Sequence, residues 1–468
     1  AGIFTSELAI CYNAISTGRQ PELKENKFSY ADFSHWQVQL IEQTGRSQIA
    51  FWKKKLDGIT PLLGLPFTKK RPSTKSNRGG VIPFNLPLEL SIKIRQFSVK
   101  EQSSMFMTLY SVFALLLHKY TGALDLQVGT PVANRNYKEV ENLIGFFVNT
   151  LVLRTRFDNN YTFRDLVDHV RNETVEAFAN QDIPFEELVK ELNIERERDH
   201  APIFQTFFAV HNEGGRKLEF DGITIQDIPV HERQAKFDIV FSIDDKPRLQ
   251  GYIEYNADLF DEDDMKRFCA HFEHLLNQVI TKPLVPLKDI SLVTDAEQHL
   301  ILGEWNATQQ NYPADSVAAM ITQQALRSPQ SAALVSGTNI LTYAELEDQS
   351  NFLSHHLLKQ VSKASVIAVY MDRSPQMMVC FLAILKAGCA YLALDISHPD
   401  DHINFMLQDS GAVLVLADAA NKDRLNDGLR IITLEDVSFA GSHLPGAHLV
   451  NLLPNDAAYV IYTSGSTG

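Results

Sequence analysis

Cysteine is scarce in this sequence. Cys11, Cys269, Cys380 and Cys389 are the only four, and no two form a Cys-x-x-Cys pair. That spacing speaks against a zinc ribbon or a disulfide framework and fits buried thiols in a reducing cytoplasm. Long apolar runs are missing too. The longest, Met377 to Leu385, stops at Lys386 and is too short to cross a bilayer. No secretory signal opens the chain, because Ala1-Gly-Ile-Phe-Thr has neither a basic start nor a long apolar core. Positive charge is in deficit: 43 Lys and Arg against 57 Asp and Glu leave a net charge of −14. The balance argues against nonspecific nucleic-acid binding and against anionic membranes. There is no initiating Met, internal repeat or low-complexity tract, and the chain reads as a fragment.

What is present suits a globular protein. The 468 residues are 45% hydrophobic and 21% charged, long enough for about two to four domains. Ile3 to Ile15 carries apolar residues at helical spacing. Phe28 to Trp36 is unusually aromatic and reads as an anchor in a core, with Trp36, Phe147 and Phe185 expected to be buried. A helix is expected over Arg46 to Leu56, then an exposed polar loop from Thr68 to Gly80. Ser104 to Tyr120 is a nearly all-apolar helix and should be central. Leu124, Leu126 and Val128 alternate with polar residues, so a strand with one buried face is expected, broken by the loop Gly129 to Arg135. Ile144 to Leu153, Ile203 to Val210 and Phe237 to Ile243 are further strand candidates. Thr162 with Asp165 and Asp261 with a Phe260/Met265 staple start two amphipathic helices, and Pro184 sits in the first turn of another. The pattern predicts α+β: helices on a largely antiparallel sheet.

Beyond a Pro-containing, aperiodic connector (about Lys282 to Ser316), short apolar strands alternate with helices. Thr342-Tyr-Ala-Glu345 is a capping box. Val366 to Tyr370, Ala390 to Leu394, Ala412 to Leu416, Arg430 to Leu434 and Ala457 to Tyr462 are strand candidates, with a helix from Ser374-Pro375 to Gly388. This predicts an α/β unit with a parallel sheet, whose ligands bind at the carboxyl ends of the strands. The last strand leads into Thr463-Ser-Gly-Ser-Thr-Gly468. Small residues there let backbone N–H groups approach a phosphate, and the hydroxyls add donors.

Five stretches, in order, resemble the condensation domain of nonribosomal peptide synthetases. They are Tyr30-Ala-Asp-Phe-Ser-His-Trp36, Gly129-Thr-Pro-Val-Ala-Asn-Arg135, Ile144-Gly-Phe-Phe-Val-Asn-Thr150, Asn180-Gln-Asp-Ile-Pro-Phe-Glu186 and Arg196-Glu-Arg-Asp-His-Ala-Pro-Ile203. The last departs from the family at Glu197 and Asp199. Leu341-Thr-Tyr-Ala-Glu-Leu346, Leu385 to Asp395 and Tyr462 to Gly468 similarly resemble the first three core motifs of amino-acid-activating adenylation domains. There Ala393 replaces a usual Pro and His402 stands where many relatives have Arg. The resemblance implies a truncated condensation domain over 1–290, mostly the second of two chloramphenicol-acetyltransferase-like lobes. A linker would cover 291–316, and the N-terminal part of an adenylate-forming (AMP-binding) fold 317–468.

The family's catalytic His-His-x-x-x-Asp-Gly is not found. The only His-His, His355-His356, sits in the later region and reads as an exposed helix step. No catalytic residue and no metal ligand is therefore assigned. Thr463, Ser464, Gly465, Ser466, Thr467 and Gly468 are the expected ATP phosphate-binding residues. Arg135, Asn149 and Asp182 are either structural or line the condensation tunnel. Lys386 is not a stand-in for the family's catalytic Lys, because its motif puts it at a helix end. The implied cofactors are ATP and Mg²⁺, with phosphopantetheine on carrier domains upstream and downstream. The implied substrates are an amino acid and acyl, peptidyl or aminoacyl thioesters. Alone, the chain is expected to catalyse neither reaction. An acyl-CoA-synthetase-like enzyme and a silent carrier-docking remnant are the alternatives.

Overall fold

A helix that is apolar all round must be surrounded, and one such helix organises the first of two units. The computed structural model describes residues 2–60, 62–158, 160–194, 197–212, 220–224, 234–312, 315–425, 428–437, 450, 452–453 and 455–463. They fall into two compact units, 1–307 and 308–468. In the first, α1 (Gly2–Ser16), α2 (Tyr30–Lys55), β1 (Gly79–Asn85) and α3 (Leu88–Lys100) lead to α4 (Met105–Thr121). Ser104 caps α4, Gly122 ends it at φ +69°, and every residue from Thr108 to Leu117 is buried. Then come β2 (Asp125–Val132), β3 (Asn149–Arg156), α5 (Phe163–Ala179), α6 (Phe185–Glu191), β4 (Thr206–Asn212), β5 (Ile239–Asp245), β6 (Gln250–Asn256), α7 (Glu262–Thr281) and α8 (Asp295–His299). The strands form one sheet in the order β1-β6-β5-β4-β2-β3. Its β4 pairs are parallel and the other three ladders antiparallel.

Several sequence expectations need correction. Gly129 does not break its strand: β2 continues to Val132, with Leu126 through Thr130 all buried. The glycine supplies room instead, since a Cβ there would lie 2.2 Å from the Phe204 ring. Both faces of β2 are covered, not one, and Gln127 is buried with the rest. Residues 144–148 are not strand. β3 starts at Asn149, Gly145 lies under the Tyr30 ring, and Phe146 is 79% exposed.

The helix expected from Arg46 begins at Tyr30, where Ser29 and Asp32 form a capping box. Of the aromatic stretch, Phe33 is buried, but Trp36 is 37% exposed and is not core. Phe33 packs with Val140, Leu143 and Phe147 in a small satellite cluster. The polar loop from Thr68 is pinned rather than free. Arg71, only 11% exposed, pairs with Asp238, and Lys75 lies 5.9 Å over Phe237. The strands β1 and β6 and the helix α3 carry no pattern strong enough to have been singled out.

The second unit contains α9 (Val317–Arg327), the hairpin β7 (Ala332–Ser336) and β8 (Asn339–Thr342), α10 (Tyr343–Leu358), β9 (Val366–Tyr370), α11 (Pro375–Lys386), β10 (Ala390–Leu394), α12 (Asp400–Asp409), β11 (Leu414–Ala417), β12 (Ile431–Thr433) and β13 (Tyr459–Val460). Its main sheet runs β12-β11-β9-β10-β13, every ladder parallel. Strand alternation sends Ile367, Val369, Leu414 and Leu416 to one face, against α10 and α11. Ala368, Tyr370, Val415 and Ala417 go to the other, against α12. Two covered faces explain the near-continuous apolar strands. Ser374 caps α11 with Pro375 in its first turn, and Gly388 follows its end at φ +70°.

Candidate functional site

In the first unit the singled-out polar residues come from the turns that flank β2, β3 and α6. Asn149 is buried at the start of β3. Its Nδ2 donates to the carbonyls of Gln181 (2.8 Å) and Ile183 (2.7 Å), and its Oδ1 accepts from Thr150 N–H (2.8 Å) and Phe185 N–H (3.1 Å). One amide thus ties the strand to the turn before α6 and meets an orphan N–H of that helix. Asp182 in the same turn accepts from Gln48 Nε2 of α2 at 2.8 Å, while its backbone N–H donates to Gln48 Oε1 at 3.2 Å. Asn149 and Asp182 therefore share one turn.

Arg135 stands apart from that clasp. Its guanidinium donates to the Val140 carbonyl and lies 4.0 Å from the Phe147 ring. Partial burial lowers its pKa. Arg135 borders an open groove of about 480 Å³, walled by Met105, Phe106, Phe178, Gln181 and Val210. Gln48 was not foreseen: its partner is far along the chain, and nothing local marks it.

In the second unit β13 pairs with β10 and ends at Val460. Because all the strands are parallel, the carboxyl ends of β9, β10, β11 and β13 lie on one edge of the sheet. Thr463 follows that edge; Ser464, Gly465, Ser466, Thr467 and Gly468 lie outside the described residues. The approach to the loop is anchored by Tyr462, whose hydroxyl donates to Asp409 Oδ2 of α12 at 2.6 Å. Desolvation and that carboxylate push the phenol up to about 12, so it remains a donor. Asp409 was missed by sequence, since no motif links it to the loop. At the same edge Arg424 holds the turn after β10, donating to Asp400 (2.7 Å) and to the carbonyls of Ile396 (2.6 Å) and His398 (3.0 Å).

The basic residues set aside by sequence have other places. Lys386 ends α11, is 2% exposed, pairs ionically with Glu347 at 2.8 Å, and donates to Ser350 (2.8 Å) and Asn351 (2.7 Å). Burial pulls its pKa down and Glu347 counters that. His355 is exposed on α10, and His356 bonds Gln360 at 2.6 Å. Among the described residues no group of three His, Cys, Asp or Glu side chains is placed to hold a metal ion, and no residue is assigned to Mg²⁺. No helix among them is long and apolar enough to cross a membrane.

The comparisons with known proteins divide the chain similarly. The family model for the condensation domain matches residues 1–302, and that for the AMP-binding enzyme matches 321–468. A linear gramicidin synthase of Brevibacillus parabrevis is 38% identical over the whole chain, which spans 6% of that protein's length. Tyrocidine synthase 3 of the same organism is 34% identical, again over the whole chain and 7% of its own length. The crystal structure of a four-domain nonribosomal peptide synthetase bound to AMP and glycine shares the fold over 84% of this chain and 31% of its own, with a TM-score of 0.74 at 21% identity. A condensation domain followed by an AMP-binding domain, on a chain aligned end to end with peptide synthetases, identifies this chain as a member of the nonribosomal peptide synthetase family.

Proposed function

We propose that the chain is the condensation–adenylation segment of a peptide synthetase elongation module, with 1–290 and 317–468 as its two domains and 291–316 as linker. The first domain joins a carrier-bound acyl or peptidyl thioester to an aminoacyl thioester. The second activates an amino acid as its adenylate and releases pyrophosphate. Carrier domains bearing phosphopantetheine are its partners, and four free thiols suit a cytoplasmic setting.

One observation carries this reading: the two family matches follow each other, in that order, along one chain. The geometry agrees with it. Strand β13 runs toward the carboxyl edge of a parallel sheet, and Tyr462 fixes its end to α12. Backbone N–H groups and hydroxyls of Thr463 to Gly468 would hold the β- and γ-phosphates and offset the charge that grows as pyrophosphate leaves. Mg²⁺ bound with the nucleotide would share that neutralisation. In the first domain, the groove beside Arg135 would form part of the tunnel wall, with Asn149 and Asp182 keeping its neighbouring turn in place.

The test is amino-acid-dependent ATP–pyrophosphate exchange by the protein that carries this chain. Exchange with at least one amino acid is expected, and Ser464→Ala should lower it by about ten- to a hundredfold with folding intact. A folded protein that exchanges with no amino acid would overturn the reading.

A further inference from the structure

A second polar cluster of the first unit shares no residue with the clasp around Asn149 and Asp182 or with the Arg135 groove. Tyr120 of α4, His271 of α7 and Glu297 of α8 form a relay through the imidazole. The Tyr120 hydroxyl is 2.7 Å from His271 Nδ1, and His271 Nε2 is 2.8 Å from Glu297 Oε2. A carboxylate only accepts, so the neutral ring carries its proton on Nε2 and donates to Glu297. Nδ1 is then the acceptor for the Tyr120 O–H. Arg267 Nε, also on α7, lies 3.8 Å from the other Glu297 oxygen and 3.6 Å separates its Nη1 from Asp264. Desolvation works against the charge on Glu297, but Thr294 and His271 outweigh it and hold the carboxyl down at about 2.

What distinguishes the cluster is what it holds. Apolar anchorage of the chain leaving α7 stops early: Ile290 is buried and Leu292 packs against the core. The carbonyl of Ser291 is bonded by Gln278 at 2.7 Å. From 293 to 307 no residue is buried, and only Thr294, Glu297 and Leu300 are even half-buried. Ile301, Leu302 and Trp305 are 41%, 66% and 68% exposed. Helix α8 buries no side chain of its own. It is attached by polar contacts instead, and a polar attachment in partial contact with water costs little to open.

We propose that His271 is a releasable clasp: bonded between Tyr120 and Glu297 it docks α8 on α7, and loss of its bond to Glu297 frees 293–307 from the body of the first unit. The capping box between Thr294 and Glu297 keeps α8 partly preformed, so docking and release need little refolding.

Hydrogen exchange on the 468-residue chain tests the clasp. His271→Leu should cut protection of the amides of Gln298 and Trp305 by about tenfold or more, with α4 and α7 unchanged. Equal protection at 295–305 in wild type and variant would overturn the proposal. So would a loss spread evenly over α4 and α7, which would make His271 a core residue. Glu297→Gln, at a site exposed enough to fold regardless, keeps the capping box and removes the charge. It should weaken protection of the same amides by about threefold, and no change in either variant overturns the clasp.

Discussion

The buried polar nodes of the two units differ in kind. In the first, a neutral amide, Asn149, joins a strand end to a turn and spends both its oxygen and its nitrogen on backbone groups. In the second, an ammonium group, Lys386, joins α11 to α10 through a carboxylate and two neutral oxygens. Glu347 extends that network to Thr322 of α9 at 2.9 Å. A neutral node loses hydrogen bonds when it is removed. A charged one leaves its counter-ion buried and unpaired, which costs more. The sheets differ as well: parallel and antiparallel ladders mix in the first unit, and every ladder of the second unit's main sheet is parallel.

The units can be read separately, because Trp36, Trp52 and Trp305 all lie in the first. Tryptophan fluorescence then follows that unit, and far-ultraviolet circular dichroism follows both. The largest effect is expected from Lys386→Met, which strands the Glu347 carboxylate at 14% exposure. It should destabilise the second unit by about 3 kcal/mol in urea titration and leave the tryptophan transition alone. A cost below about 1 kcal/mol would mean that the charged node behaves like a neutral one.

Asn149→Ala comes next, with about 2 kcal/mol lost from the tryptophan transition. A loss as large as that of Lys386→Met would erase the distinction drawn between the nodes. Smaller still are the matched capping boxes. Thr162→Ala should cost about 1 kcal/mol in the first unit and Thr342→Ala about the same in the second. Unequal costs would show that packing around α5 and α10 contributes to the caps.

A pH dependence is expected as well, and it is confined to one segment. The Glu297 carboxyl sits at about 2 in the fold against an ordinary 4.5. A depressed carboxyl contributes stability above its ordinary pKa and loses it as pH falls toward the folded value. Protection at 295–305 should therefore decline between pH 4.5 and about 2, and less so in Glu297→Gln. Identical slopes in the two proteins would remove Glu297 from the account.

Local chemistry was legible wherever it acts over a few residues. Thr162 with Asp165 and Thr342 with Glu345 each close a capping box within one helical turn. The apolar periodicity of α4 announced a central helix. By contrast, Gly129 looked like a break because its reason, the Phe204 ring, lies on another element. Arg71 looked solvated because Asp238, its partner, comes from β5's approach. Of the site, the phosphate-loop motif was plain. The Tyr462–Asp409 bond beside it was not, since a contact between α12 and the strand's end has no signature in either segment.

The sequence by itself determined the two families, the parallel sheet of the second unit and the capped helices, because motifs, strand periodicity and caps are short-range patterns. Tertiary structure alone decided that Asn149 is a four-bond clasp, that Lys386 is a buried partner of Glu347, and that His271 reaches Glu297. Each of these depends on side chains from different elements meeting at hydrogen-bond distance. Only the packed fold sets that distance, and burial then gives each bond its weight.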